Sequence, residues 1–150
     1  EKLPFLDEII RTVPKGKELI VEIKCGSEIL PYLEKAIRNY KKDITFTFIC
    51  FSFETISDTK KVFPGNSCYW LCSNAGLLEN TFEKVAPAGL DGISLSWSII
   101  NENVIRKASD LDIEVYSWTV DDPAEAKRLI SLGVKGITTN RPGWLNEQIF

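Results

Sequence analysis

An incomplete (β/α)8 barrel of about six βα units is the α/β fold this sequence predicts, on three observations. Six short β-rich runs recur along 150 residues, with starts 22 to 27 residues apart. Helical patterns fill most of the intervals, and a strand, a helix and two short loops need about that much chain. No G-x-G-x-x-G turn follows any of the runs. Alternation of strand and helix implies parallel strands with helices outside. The competing architecture, an open doubly wound sheet, is marked by that glycine-rich turn. Here the first helix opens instead on Gly26-Ser27-Glu28, and the even repeat favours the barrel. A compact barrel of roughly 200 residues allots about 25 residues to each unit. Six such units fit here, read as one partial-barrel domain over residues 1–150.

The strands are placed near 18–24, 45–52, 67–72, 91–97, 113–120 and 135–140, each bounded by turn residues. A helical piece over 5–13 precedes the first. Ser27 is placed as the N-cap of a helix in which Leu30, Leu33, Ile37 and Tyr40 follow helical spacing, with Pro31 tolerated in its first turn. The segment 54–63 reads as a helix that stops at Pro64-Gly65. Pro87-Ala88-Gly89 breaks the interval 73–90, which predicts a short helix and a loop. Asn101 caps the helix over 102–111. The clearest signal is Asp122-Pro123-Ala124-Glu125: Asp caps, Pro takes the first helical position, Glu stands three beyond the cap, and Gly133 closes the helix. A turn or short helix follows Arg141-Pro142-Gly143 to the end.

Composition excludes several classes. Hydrophobic residues make up 44% and charged residues 26%, an ordinary globular balance. A net charge of −3 gives no general attraction to nucleic acid or to anionic membranes, and no apolar run reaches transmembrane length. There is no histidine, so a mechanism that needs the usual neutral-pH acid or base must take it from outside these residues. There is no methionine either, which suggests that translation did not start at Glu1. The four cysteines, Cys25, Cys50, Cys68 and Cys72, lie in or beside apolar runs and read as small buried hydrophobes. The compartment is not legible in the composition.

In a barrel strand, alternate residues face the interior, and those at the carboxyl end meet substrate. Glu22 and Lys24 share parity at the end of the first strand, while Leu19, Val21 and Ile23 face the helices. Opposite charges on a buried strand face are costly unless paired or liganded. The plain reading is a buried structural ion pair. The chemical one, which the apolar norm of parallel strands favours, is a metal-binding carboxylate beside a phosphate-binding ammonium. Ser52 ends the second run; alone it reads as a cap or turn residue, with no partner to make it a nucleophile. Trp97 reads as packing. Trp118, in parity with Tyr116, is placed to rest on the apolar or polyol part of a substrate. Arg141 reads as a rim residue.

Four strings in order carry a resemblance: Val21-Glu22-Ile23-Lys24, Phe51-Ser52-Phe53, Val115 through Pro123 (VYSWTVDDP) and Leu132 through Pro142 (LGVKGITTNRP). Together they resemble the carboxyl-terminal part of the glycerophosphodiester phosphodiesterase family, and the resemblance covers nearly the whole chain. It implies a TIM-type barrel that hydrolyses glycerophosphodiesters to glycerol 3-phosphate and an alcohol with a divalent cation, Mg or Ca. It implies that Glu22 ligates the metal, that Lys24 contacts the phosphate and that Trp118 lines the substrate pocket. Ser52 matches a family strand end and is carried as a substrate-binding residue. The family's opening His-Arg-Gly strand, its Glu-x-Asp metal ligands and its second His have no counterpart here. The cation would therefore be incompletely liganded, and no residue of this chain is assigned as catalytic.

The expectation is a carboxyl-terminal six-unit portion of a metal-dependent phosphodiesterase, inactive alone, acting with its parent on a small-molecule phosphodiester. No nucleic-acid partner and no membrane insertion are expected. One alternative is a non-enzymatic (β/α) module whose open barrel edges serve self-association. Another is a related phospholipase D-like barrel acting on a different headgroup.

Overall fold

The computed structural model describes residues 2–40 and 44–150; residues 1 and 41–43 of the expected domain lie outside it. The elements in chain order are α1 (Leu6–Ile10), β1 (Glu18–Glu22), α2 (Leu30–Ile37), β2 (Thr45–Cys50), α3 (Phe53–Val62), β3 (Ser67–Cys72), α4 (Ala75–Thr81), β4 (Gly92–Ser96), α5 (Glu102–Asp110), β5 (Glu114–Trp118), α6 (Pro123–Leu132), β6 (Gly136–Ile137) and α7 (Pro142–Ile149). The strands pair in the order in which they occur, β1 to β6. The chain divides into two compact units, Glu1–Tyr69 and Trp70–Phe150.

In the first unit β1 and β2 run parallel, with Glu18 opposite Thr45 and Glu22 opposite Ile49. Phe46, Phe48 and Cys50 share one face of β2 and are all buried, as a parallel strand covered by helices requires. Phe48 meets Phe63, at the end of α3, with ring centroids 4.7 Å apart. On α2 the buried residues are Leu30, Leu33 and Ile37, one apolar stripe at helical spacing.

Ser27 does not cap this helix. A 3-10 turn, Ser27–Ile29, precedes α2, and the Ser27 hydroxyl donates to Asp58 Oδ2 at 2.8 Å. A carboxylate acceptor makes the stronger hydrogen bond and takes the side chain away from the backbone. The expected helix over 5–13 is shorter, Leu6–Ile10, and opens where the Phe5 N–H donates to the Glu8 carboxylate at 2.7 Å.

In the second unit β4, β5 and β6 are parallel, with Ser96 opposite Trp118 and Ser117 opposite Ile137. Asn101 caps α5 as expected, its Oδ1 accepting from the Val104 N–H at 3.1 Å. Asp122 caps α6 by accepting from Ala124 N–H at 2.9 Å, and Pro123 fills the first turn. Glu125 makes no capping box; its carboxylate pairs with Arg128. Gly133 ends the helix at φ 99°, a left-handed conformation that glycine adopts without steric cost. The last strand is much shorter than 135–140. Beyond Ile137 the backbone still bonds to β5, with the Thr138 N–H donating to the Ser117 carbonyl at 2.8 Å, but Thr139 and Asn140 turn aside to Asp121.

Candidate functional site

The carboxyl ends of β1 and β2 enclose a cleft of about 560 Å³ whose walls include Glu22, Lys24, Cys25, Cys50 and Ser52. Three of the four expected site residues are thereby brought together within one unit. The Lys24 ammonium stands 3.4 Å from Glu22 Oε2. The pair is not buried: 77% of the Lys24 side chain and 33% of the Glu22 side chain are accessible. The expected burial cost is therefore absent. The physical reason is visible on β1, where Glu18, Ile20 and Glu22 are all exposed while Ile23 is buried. The face shared by Glu22 and Lys24 is open, so an ammonium with three donors remains accessible to an anion.

Ser52 is the N-cap of α3: its Oγ accepts from the Thr55 N–H at 3.1 Å. That bond uses an acceptor lone pair and leaves the hydroxyl proton available at the cleft. Cys50 is buried, and its thiol donates to the Ile23 carbonyl at 3.0 Å. Burial pushes its pKa up from the usual thiol value. Cys25 is exposed, against the expectation of a buried hydrophobe, because it follows the end of β1 in a bend at the cleft mouth.

Among the described residues, no group of three or more His, Cys, Asp or Glu side chains is placed to hold a metal ion. A hard divalent cation takes six or more oxygen ligands. Glu22 offers one carboxylate, already turned to Lys24. The described donors do not by themselves fit the implied cation.

The second unit holds Trp118. Its indole Nε1–H donates to the Ser94 carbonyl at 3.0 Å, so the ring is held by its polar edge and offers only apolar surface. Beyond it lies a cleft of about 310 Å³ lined by Trp97, Thr119, Val120, Asp121, Asp122 and Glu125. Trp97 is 43% exposed there, a rim position. Asp121 fastens the loop after β5 to the loop after β6. It accepts from the Thr139 hydroxyl at 2.7 Å, the Asn140 N–H at 2.8 Å and the Asn140 side-chain amide at 2.8 Å. The Thr139 and Asn140 bonds, with a smaller contribution from Arg141, hold its carboxyl below the usual value. Arg141 lies over the Trp144 ring, 5.6 Å from its centroid, in keeping with a rim role.

Two features were missed in the sequence. The Asp121 clamp had a signal, a second acid before the capping Asp122 and a Thr-Thr-Asn run at the next strand end. The approach of Cys25 to the cleft depends on the bend after β1, which no residue pattern marks.

The family model for glycerophosphoryl diester phosphodiesterases matches residues 4–144. A glycerophosphodiester phosphodiesterase of Caldanaerobacter subterraneus subsp. tengcongensis is 26% identical over 147 residues, covering 95% of this chain and 60% of that protein. Among solved structures, an Oleispira antarctica phosphodiesterase in complex with the product sn-glycerol-3-phosphate superposes with a TM-score of 0.80 at 16% identity, covering 89% of this chain and 56% of that one. A glycerophosphodiester phosphodiesterase from Thermotoga maritima gives 0.76 at 18% identity, covering 96% and 63%. The chain thus spans about 60% of the length of the Caldanaerobacter relative and of a Bacillus subtilis one 20% identical to it. The structural likeness shows the fold: six βα units of a TIM-type barrel. No helix among the described residues is long and apolar enough to cross a membrane.

Proposed function

The chain belongs to the glycerophosphoryl diester phosphodiesterase family, and from that premise we propose that its first cleft binds the phosphate end of a glycerophosphodiester. The observation that carries the reading is the Lys24 ammonium, open to solvent at the mouth of β1 and 3.4 Å from Glu22. An accessible ammonium two residues past the end of β1 is suited to a phosphate oxygen. The Ser52 hydroxyl, fixed by its capping bond, supplies a second donor.

The proposed reaction is hydrolysis of the diester to glycerol 3-phosphate and an alcohol. It needs a proton for the leaving oxygen and a group to activate water. This chain has no histidine for either task. Within the family reading, Glu22 is the residue that would contribute to a divalent cation, which would neutralise charge on the phosphoryl group. The single carboxylate does not make that site, so the chain as given binds and positions but does not turn over.

Titration with sn-glycerol 3-phosphate, followed by amide chemical shifts, tests the binding half. Shifts are expected at residues 22–25 and at Ser52, with affinity falling about tenfold or more in Lys24→Ala, the loss expected for one charge-assisted bond. Equal affinity in that variant would overturn it.

A second reading, self-association, is favoured by the open face of β1 and the segment before it. Ile20 is 52% exposed, Leu3 89% and Phe5 66%, and among the described residues β1 stands at one end of the strand order. Sedimentation that shows only monomer at high protein concentration would remove this reading.

A further inference from the structure

We propose that Cys25 and Cys50 form a disulfide when the protein meets hydrogen peroxide, which makes the mouth of the first cleft a redox-modification site. The two cysteines line the same cleft, one exposed and one buried. Their nearness follows from the register. Glu22 is opposite Ile49, and the Ile23 N–H donates to the Ile49 carbonyl at 2.9 Å, which sets Ile23 beside Cys50. The Cys50 sulfur lies 3.0 Å from the Ile23 carbonyl oxygen, and Cys25 is two residues further along. The β1 ladder ends at Glu22, and Cys25 stands in a bend, free of the extended spacing that would carry it away. The Cys50 thiol is raised chiefly by its burial, with Cys25 among the smaller causes. Cys68 and Cys72 are fully buried on β3 and shielded from oxidant.

Exposure and burial assign the order of events. The Cys25 thiolate attacks one peroxide oxygen, the O–O bond breaks, and the departing hydroxide takes a proton to become water, leaving a sulfenic acid on Cys25. The Cys50 sulfur then attacks the Cys25 sulfur, the S–O bond breaks, and the hydroxyl leaves as water with the Cys50 proton. Two thiols lose two electrons and two protons, and one peroxide yields two waters. Burial disfavours the Cys50 thiolate, in keeping with Cys25 as the thiol that meets peroxide first. A bridge of this kind needs Cα atoms within about 7 Å, and a peptide that joins the two cysteines would show that they come that close.

Mass spectrometry of the folded protein after peroxide treatment tests this. The expected result is a loss of about 2 Da, reversed by dithiothreitol, with a peptide that joins Cys25 to Cys50. Cys25→Ser, at an exposed position, should fold normally and lose both signals. The proposal is overturned if Cys25 gains two or three oxygens while Cys50 keeps its thiol, or if Cys25 instead links two chains. Because peptide mapping of the unaltered protein decides between these, the result does not depend on a Cys50 variant folding. It is also independent of phosphodiester binding, and failure of either leaves the other standing.

Discussion

Lys24 and Glu22 meet at 3.4 Å on the open face of β1, not in the interior. Their stability contribution should therefore be small, since exposed pairs contribute about 0–1 kcal/mol. Glu22→Gln and Lys24→Gln should each shift the urea unfolding free energy by no more than about 0.5 kcal/mol. A loss of several kcal/mol in either would show that the pair is desolvated and structural.

The Asp121 clamp gives a pH dependence with a definite sign. Its folded-state pKa is lowered, chiefly by the Thr139 and Asn140 hydrogen bonds. The stabilisation is complete above the unfolded aspartate value of about 3.9 and is lost as pH falls through the lower folded value. Asp58, held down by Lys61 and Ser27, acts in the same direction in the first unit. Unfolding measured from about pH 6 down to about pH 2 should show a shallower acid limb in Asp121→Asn than in the parent. Identical limbs would contradict the clamp.

Two buried positions should respond in opposite ways. The Ser117 hydroxyl is fully buried without a hydrogen-bond partner among the described residues. Removing an unsatisfied polar atom relieves a desolvation cost, so Ser117→Ala should be neutral or stabilising by about 1 kcal/mol. Phe48, fully buried against Phe63, fills volume. Phe48→Ala should cost about 3–5 kcal/mol. Thermal or urea unfolding of the two variants checks both, and a destabilised Ser117→Ala would reveal a partner for its hydroxyl.

The strand–helix alternation was legible because its signals are local. Asp122, Pro123 and Gly133 each dictate one backbone conformation, and the structure uses all three. Asn101 is the same kind of signal. Ser27 misled because its hydroxyl has a tertiary partner, Asp58, 31 residues away. The shortening of β6 has the same origin, since Asp121 draws Thr139 and Asn140 out of the strand. The site was legible as residues but not as an environment. Parity put Glu22 and Lys24 on one face correctly. It carried no information on whether that face was covered, and the expectation of a buried pair came from treating β1 as an interior strand. Glu18, Ile20 and Glu22 on that face are exposed.

The most direct measurement is hydrolysis of a glycerophosphodiester by the chain with Mg2+ or Ca2+, alongside Glu22→Ala. No turnover above background is predicted for either, because among the described residues no cluster is placed to hold a cation and the sequence has no histidine to protonate the leaving oxygen. Turnover by the unaltered chain that disappears in Glu22→Ala would contradict the account.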